Sequence, residues 1–205
     1  MKNVVILFGL LMAWTQAGFA ADASAGKDQS ASCSACHGAD GNSVVPTFPK
    51  IAGQGERYLL KQMKDVRDGA RSIPTMAGQL DGKSDEDLAN LAAFYASQPA
   101  TGGKTDPELL ALGKKVYLSG VAERQVAACT ACHSPRGKGN APAGYPALGG
   151  QHAEYIVTQL KMYRKGYEDE TGRTNDGDIK IMRTNAFGLS DKQIEAVASY
   201  ISGLN

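Results

Sequence analysis

Two cysteines three positions apart, with a histidine directly after the second, occur twice in this chain. The first set is Cys33, Cys36 and His37, and the second is Cys129, Cys132 and His133. Thiols and imidazoles are nucleophiles and metal ligands. Each set could therefore form a redox pair, hold a metal ion, staple the fold with a disulfide, or attach a cofactor.

Three of these chemistries leave part of the motif unexplained. A thioredoxin-like redox pair requires a βαβ setting, which the sequence does not indicate. A Cys₄ zinc site would join pairs that lie 96 residues apart, and both histidines would then have no role. A disulfide within either pair closes a very short loop and stabilises little. Covalent attachment of c-type haem uses every residue, because two thiols can bond the two vinyl groups of one porphyrin while the histidine faces the iron.

The four cysteines thus predict two covalently bound haem c groups, and each iron atom needs a second axial ligand. Met76 and Met182 each lie eight residues before the serine that begins the last predicted helix of their half, in a segment that reads as a loop. The predicted axial pairs are His37 with Met76 and His133 with Met182. Such a thioether ligand raises the reduction potential of the iron and closes it to small molecules.

Three further residues are assigned from their positions relative to the two motifs. A ligating imidazole usually donates its other N–H to a carbonyl group. The backbone carbonyls of Pro49 and Pro146, which follow the histidines by 12 and 13 residues, are the predicted acceptors. His152 has no counterpart in the first half of the chain, and it is predicted to be an exposed residue at the start of a helix.

An internal repeat surrounds the two motifs. The segment "FPKIAGQGERYLLKQM" from Phe48 matches "YPALGGQHAEYIVTQL" from Tyr145 with an offset of 97 residues. The segments that begin at Met76 and Met182 match with an offset of 106. The second copy therefore carries about nine extra residues within 166–181, where five acidic and two basic residues predict a surface loop.

Helical periodicity dominates both copies. Apolar residues recur at intervals of three and four over 56–71, 88–95, 109–117, 155–163 and 194–201. Ser84 is a predicted N-cap, and Ser190 with Gln193 is a predicted capping box. No strand pattern competes, so the predicted fold is all-α, with two tandem domains joined by a short linker. A bound porphyrin would add apolar surface to the interior of such small, glycine-rich domains, which have few core side chains of their own.

The expected domain boundaries follow from composition. Residues 1–20 read as a signal peptide cleaved after Ala20, with an apolar run too short to span a membrane. The first domain is then 21–98, a linker rich in Pro and Gly covers 99–106, and the second domain is 107–205, opening on a helix that starts at Asp106-Pro107. The formal net charge of +1 gives no basic surface of the kind that binds nucleic acid.

With both Cys-x-x-Cys-His motifs, both methionine segments and the "AGQ" and "GGQ" strings, residues 21–205 resemble a dihaem cytochrome c of the cytochrome c4 family. The resemblance implies two class I cytochrome c domains packed face to face, with the haem propionates near their interface. It also implies a periplasmic location and electron delivery towards a terminal cytochrome oxidase, for which a quinol-oxidising complex is the expected donor. The acidic insert departs from the repeat and leaves the redox partner open. The sequence also leaves open whether the protein is free or associates peripherally with a membrane complex.

The expected function is electron transfer with no small-molecule substrate, and the protein is expected not to be an enzyme. The alternative is a dihaem peroxidase or a haem-based gas sensor in which one iron keeps an open site. No pair of acidic and basic residues reads as a catalytic acid and base, since the carboxylates fall mostly in helix caps and loops. Closure of both iron sites would decide between these hypotheses.

Overall fold

The computed structural model describes residues 20–204, and its regular structure is helical apart from two isolated β-bridges. The helices of the first half are α1 (Ala23–Gln29), α2 (Ser34–His37), α3 (Glu56–Arg67) and α4 (Asp85–Ser97). Those of the second half are α5 (Leu110–Ser119), α6 (Thr130–His133), α7 (Ala153–Glu168), α8 (Ile181–Phe187) and α9 (Asp191–Ser202). The predicted all-α fold is confirmed, whereas the signal-peptide prediction falls almost wholly on residues 1–19, outside the described range.

Each half is built on one close helix crossing, in which its first helix packs on its last. Helix α1 packs against α4, and α5 packs against α9. A glycine lies at each crossing: a Cβ atom on Gly26 would lie 2.0 Å from the Asn90 carbonyl oxygen, and one on Gly113 would lie 2.2 Å from that of Ala196. Only glycine allows the backbones to approach this closely. The crossing therefore explains why the repeat keeps glycine inside a helix, where it otherwise costs stability.

Separate apolar cores fill the two halves. Leu88, Leu91 and Tyr95 of α4 form the first core together with Leu59 of α3. The second core is centred on α9 and α5 and contains these fully buried residues: Val116, Tyr117, Ile194 and Val197. The predicted caps are confirmed, because Ser84 and Ser190 each accept a backbone N–H and form capping boxes with Asp87 and Gln193.

The structure corrects three local predictions. Helix α5 begins at Leu110, because Pro107 and the two residues after it form a turn in which the Glu108 N–H bonds the Asp106 carboxylate. Met182 lies in the first turn of α8, whereas Met76 ends a short 3₁₀ turn, Pro74–Met76. The insert is only partly a surface loop, because Arg173 within it is buried.

The linker is tied to both halves. Thr101 donates its N–H to the Asn42 side chain of the first half, and Gly103 donates its N–H to the Ser202 carbonyl of the second. No helix within residues 20–204 is both long enough and apolar enough to cross a bilayer.

Candidate functional site

Each pair of thiols is presented by a single helical turn. Cys33 and Cys129 are the N-caps of α2 and α6, and each carbonyl accepts the N–H of the histidine four residues later at 2.9 Å. Residues three apart on a helix share one face, so both thiols of a pair point the same way. All four cysteines are half-buried and free of disulfide bonds. This arrangement suits two bonds to one flat group and leaves the thiols available to form them.

The thiols of Cys33 and Cys129 also lie in apolar surroundings. Each packs against the core of its own half, Cys33 beside the Tyr95 hydroxyl and Cys129 near Tyr117. Burial raises the pKa of Cys129 to about 11. This thiol is therefore protonated at neutral pH.

Both histidines that end the motifs are buried, with 9% of His37 and 6% of His133 exposed. The Nδ1 atom of His37 lies 2.9 Å from the carbonyl oxygen of Pro49, and that of His133 lies 2.9 Å from the carbonyl oxygen of Pro146. These are the two carbonyl groups named from the sequence. A carbonyl only accepts, so Nδ1 carries the proton and Nε2 keeps the lone pair that can bind a metal.

Electrostatics favour the neutral form of these imidazoles. Burial lowers the pKa of both His37 and His133, and the hydrogen bond to the proline carbonyl offsets part of that change. Each imidazole lies in an edge-to-face arrangement with an aromatic ring, His37 with Phe48 and His133 with Tyr145. Each ring is therefore held in one orientation and one tautomer, as an iron ligand requires.

The two candidate methionines occupy comparable but not identical positions. Met76 is half-buried, packs against the same core as Cys33 and lines a cavity of about 220 Å³ beside Val66 and Leu80. Met182 is also half-buried, on α8, which packs against α7. Met63 packs against the first core, as its place on an apolar stripe predicts. Met76 and Met182 therefore remain the candidate ligands.

Two arginines that the sequence analysis did not select meet between the halves. Arg71 and Arg173 are buried, at 8% and 7% exposed. Arg71 bonds Gln62 of its own half, together with the Tyr155 hydroxyl and the Gln159 oxygen of the other half. Arg173 reciprocates, bonding Gln159 of its own half, together with the Tyr58 hydroxyl and the Gln62 oxygen. We call these six residues the arginine cluster: Tyr58, Gln62, Arg71, Tyr155, Gln159 and Arg173.

The arginine cluster holds two buried guanidinium groups. Within residues 20–204, neither guanidinium group forms a salt bridge. Buried charges are normally paired. Burial alone would raise the pKa of Tyr58, but the charges of Arg173 and Arg71 outweigh it and lower that pKa below its ordinary value. The cluster therefore favours an anion, and the carboxylates of two porphyrins would satisfy it.

A second set of contacts between the halves is also reciprocal. The Gln54 side chain bonds both the N–H and the carbonyl of Ala147, and the Gln151 side chain bonds both groups of Lys50. His152 is not the exposed residue that the sequence predicts: it is half-buried, and its Nε2 donates to the Ser43 carbonyl of the first half. The prediction failed because the exposure of His152 depends on its contact with Ser43, which lies 109 residues earlier in the chain.

The signal that could have revealed these residues is the repeat itself. Gln54 and Gln151, Tyr58 and Tyr155, and Gln62 and Gln159 keep the offset of 97 residues. Polar side chains retained at matched positions among apolar stripes indicate buried hydrogen-bonding groups. The thiol pairs, the neutral imidazoles and the charge of the arginine cluster together fit two c-type haems.

Comparisons with known proteins agree with this chemistry. A sequence model of the family described as Cytochrome c matches residues 23–99 and 110–205. The chain is 54% identical over 186 residues to cytochrome c4 of Pseudomonas aeruginosa, with 91% of this chain and 90% of that protein covered. It is 35% identical to a thiosulfate dehydrogenase electron acceptor of Stutzerimonas stutzeri, with 84% of this chain and 78% of that protein covered.

A solved structure extends the similarity to three dimensions. The crystal structure of reduced recombinant cytochrome c4 from Pseudomonas stutzeri superposes with a TM-score of 0.87 at 49% identity. The match covers 91% of this chain and 100% of that one.

Proposed function

Because this chain belongs to the cytochrome c4 family of dihaem c-type electron carriers, we propose that it shuttles single electrons between larger redox complexes in the periplasm. The proposed donor is a quinol-oxidising complex, and the proposed acceptor is a terminal cytochrome oxidase. The proposed domains are 21–98 and 107–205, exported behind a signal peptide cleaved after Ala20. Mass analysis of the mature N-terminus tests the cleavage site.

The single observation that carries the proposal is the buried, neutral imidazole that follows each thiol pair. Nδ1 of His37 and of His133 is engaged by a carbonyl, which leaves Nε2 to bind iron. The covalently bound haems supply a one-electron iron couple. The chain's own residues hold the imidazoles in place and exclude water from them. When the haems are bound, Met76 and Met182 would be the second protein ligands of the two irons.

A second donor is supported by one relative. The Stutzerimonas stutzeri protein is named as an electron acceptor of thiosulfate dehydrogenase, so a dehydrogenase of this kind is a candidate donor beside the quinol-oxidising complex. Stopped-flow reduction of the purified oxidised protein by each enzyme would identify the donor. Reduction by neither would contradict the proposed position in an electron-transfer chain.

Methionine ligation is tested by replacing one sulfur at a time. A Met-ligated ferric c-type haem has a weak sulfur-to-iron absorption band in the far red, and the proposal gives this band two contributors. We expect Met76→Ala and Met182→Ala each to remove one haem's share of the band and to open one iron to carbon monoxide. Met63→Ala is the matched control, since it shortens a methionine that packs on the core, and it should leave the band intact.

The alternative makes the opposite prediction. A peroxidase or gas sensor would keep one iron open, so the reduced wild-type protein would bind carbon monoxide rapidly at one haem. Rapid binding of this kind, with half of the expected far-red band, would overturn the electron-carrier proposal.

A further inference from the structure

The reciprocal glutamine contacts bear directly on the iron-binding histidines. Pro49 and Lys50 share one peptide unit, whose carbonyl belongs to Pro49 and whose N–H belongs to Lys50. The carbonyl accepts from His37 Nδ1 at 2.9 Å, and the N–H donates to the Gln151 oxygen at 2.9 Å. One peptide unit of the first half therefore links its own histidine to a glutamine of the second half.

The second half repeats the arrangement with the partners exchanged. The carbonyl of Pro146 accepts from His133 Nδ1 at 2.9 Å, and the N–H of Ala147, in the same peptide unit, donates to the Gln54 oxygen at 2.8 Å. We call each three-part chain of glutamine oxygen, peptide unit and imidazole a relay. The two relays cross the boundary between the halves in opposite directions.

Each glutamine amide is fixed in its orientation. The Gln151 nitrogen donates to the Lys50 carbonyl at 2.8 Å, and the Gln54 nitrogen donates to the Ala147 carbonyl at 2.9 Å. Each side-chain oxygen also accepts the N–H of the next residue in its own chain segment, Gly55 or His152. Because carbonyls only accept and N–H groups only donate, the oxygen must face the relay.

The peptide unit is a conjugated group, so its two ends respond to each other. An acceptor at the N–H increases the negative charge on the carbonyl oxygen, and chains of hydrogen bonds strengthen one another by roughly 10–30% per bond. A stronger carbonyl acceptor makes the imidazole a more basic ligand. A more basic ligand stabilises ferric iron and lowers the reduction potential.

We propose that Gln151 tunes the haem of the first half and Gln54 tunes the haem of the second, each acting as a positioning residue from the opposite domain. The inference rests on the proposed function only in requiring His37 and His133 to ligate iron. It assigns a specific task to two side chains that touch neither motif. It also makes each half's reduction potential a property of the whole molecule.

The test is a pair of substitutions in the full-length, haem-loaded protein, Gln151→Leu and Gln54→Leu. Gln151→Leu removes two cross-domain hydrogen bonds to Lys50, and Gln54→Leu removes the two equivalent bonds to Ala147, so each variant is the matched control of the other. We expect Gln151→Leu to raise the midpoint potential of the first haem and Gln54→Leu that of the second. At the wild-type midpoint, the ferrous-to-ferric ratio of the affected haem should rise by about twofold to tenfold.

The readout must separate the two haems. A redox titration followed by proton NMR resolves them, because the haem methyl groups and the ring protons of the two ligating histidines give distinct signals. In the reduced protein, the Nδ1–H signal of the affected histidine should also move upfield as its hydrogen bond weakens. General loosening of the interface would move both potentials together in both variants, and that result would overturn the proposal.

A second variant guards against misfolding and reverses the expected sign. Gln151→Glu loses the donor to the Lys50 carbonyl but keeps an oxygen that accepts from the Lys50 N–H, and a carboxylate is a stronger acceptor than an amide. At alkaline pH, where this carboxylate is ionised, the midpoint potential of the first haem should be lower than in the wild type. The midpoint potential of the second haem should fall by less. An upward shift of the midpoint of the first haem would overturn the relay. It would not bear on the proposed iron ligands Met76 and Met182, which are tested separately.

Discussion

The lowered pKa of the buried Tyr58 is the clearest sign of the two guanidinium charges that lie between the halves. Tyr58 receives a hydrogen bond from Arg173 and lies near Arg71. Burial would favour the neutral phenol, but the two guanidinium groups favour the phenolate by more. The pKa of Tyr58 in the haem-loaded protein therefore measures how much of the guanidinium charge remains unbalanced.

The pH dependence of stability should follow from this tyrosine. The pKa of Tyr58 is lower in the folded chain than its unfolded value of about 10. Between the folded and unfolded pKa values, the unfolded state therefore binds more protons than the folded state. Tyr58 then stabilises the fold increasingly as the pH rises through this range. Its contribution is lost as the pH falls through the pKa of the folded state. If the two guanidinium charges stay unbalanced in the haem-loaded protein, the difference in unfolding free energy between wild type and Tyr58→Phe should grow from neutral pH towards pH 10.

Chemical denaturation at several pH values measures this difference directly. Tyr167→Phe, at an exposed tyrosine on α7, is the control and should show a constant difference. A difference for Tyr58→Phe that shrinks with rising pH would mean that bound carboxylates, rather than the phenol, neutralise the two guanidinium charges.

At the scale of helices, each half is held by one close crossing, α1 with α4 and α5 with α9, and Cys33 and Cys129 pack against the cores that these helices help to form. Helix α1 ends four residues before Cys33, and the closing helices α4 and α9 supply much of each core. The approach of the two backbones depends on Gly26 and Gly113. A side chain there would push the first helix of a half away from the last.

Adding one carbon at a crossing should therefore destabilise the protein. In an isolated helix, Gly113→Ala would be favourable by about 1 kcal/mol. In this fold the new Cβ would lie 2.2 Å from the Ala196 carbonyl oxygen, so we expect a net loss of about 1–3 kcal/mol in unfolding free energy. Lys114→Ala, on the exposed side of the same helix, should change it little. Equal effects of the two substitutions would contradict the close crossing.

Helices and caps were predictable from the sequence because their signals are local. The spacing of Ser190 and Gln193 is sufficient to predict a capping box. The burial of Arg173 was not predictable, because its partners Tyr58 and Gln62 lie more than 100 residues away in the chain. The helix around Met182 was also missed, since the insert before it breaks the match with the first half.

On the scale of the whole molecule, the two halves meet as two copies of one surface. Arg71 and Arg173 each bond the glutamine of their own half and the tyrosine and glutamine of the other. Such self-complementary contact is typical of a two-fold dimer. Here the linker joins the two copies, and the repeat offset could have predicted matching surfaces but not their docking.

The shared partners predict a non-additive response to mutation. We expect Arg71→Leu and Arg173→Leu each to lower the unfolding free energy by about 1–3 kcal/mol, because each leaves buried polar groups unsatisfied. The double variant should lose less than the sum, since both arginines bond the same two glutamines. Arg136→Leu, at an exposed position, is the control. Additive losses in equilibrium unfolding would show that the two arginines act independently.

The crossed relays also constrain how the two halves can diverge. A gene duplication normally frees one copy to change while the other keeps the original task. Here Gln54 is linked through one peptide unit to the histidine of the other copy. A substitution in one copy would therefore also change the other. Selection on one redox centre would therefore preserve a glutamine that belongs to the other half of the chain.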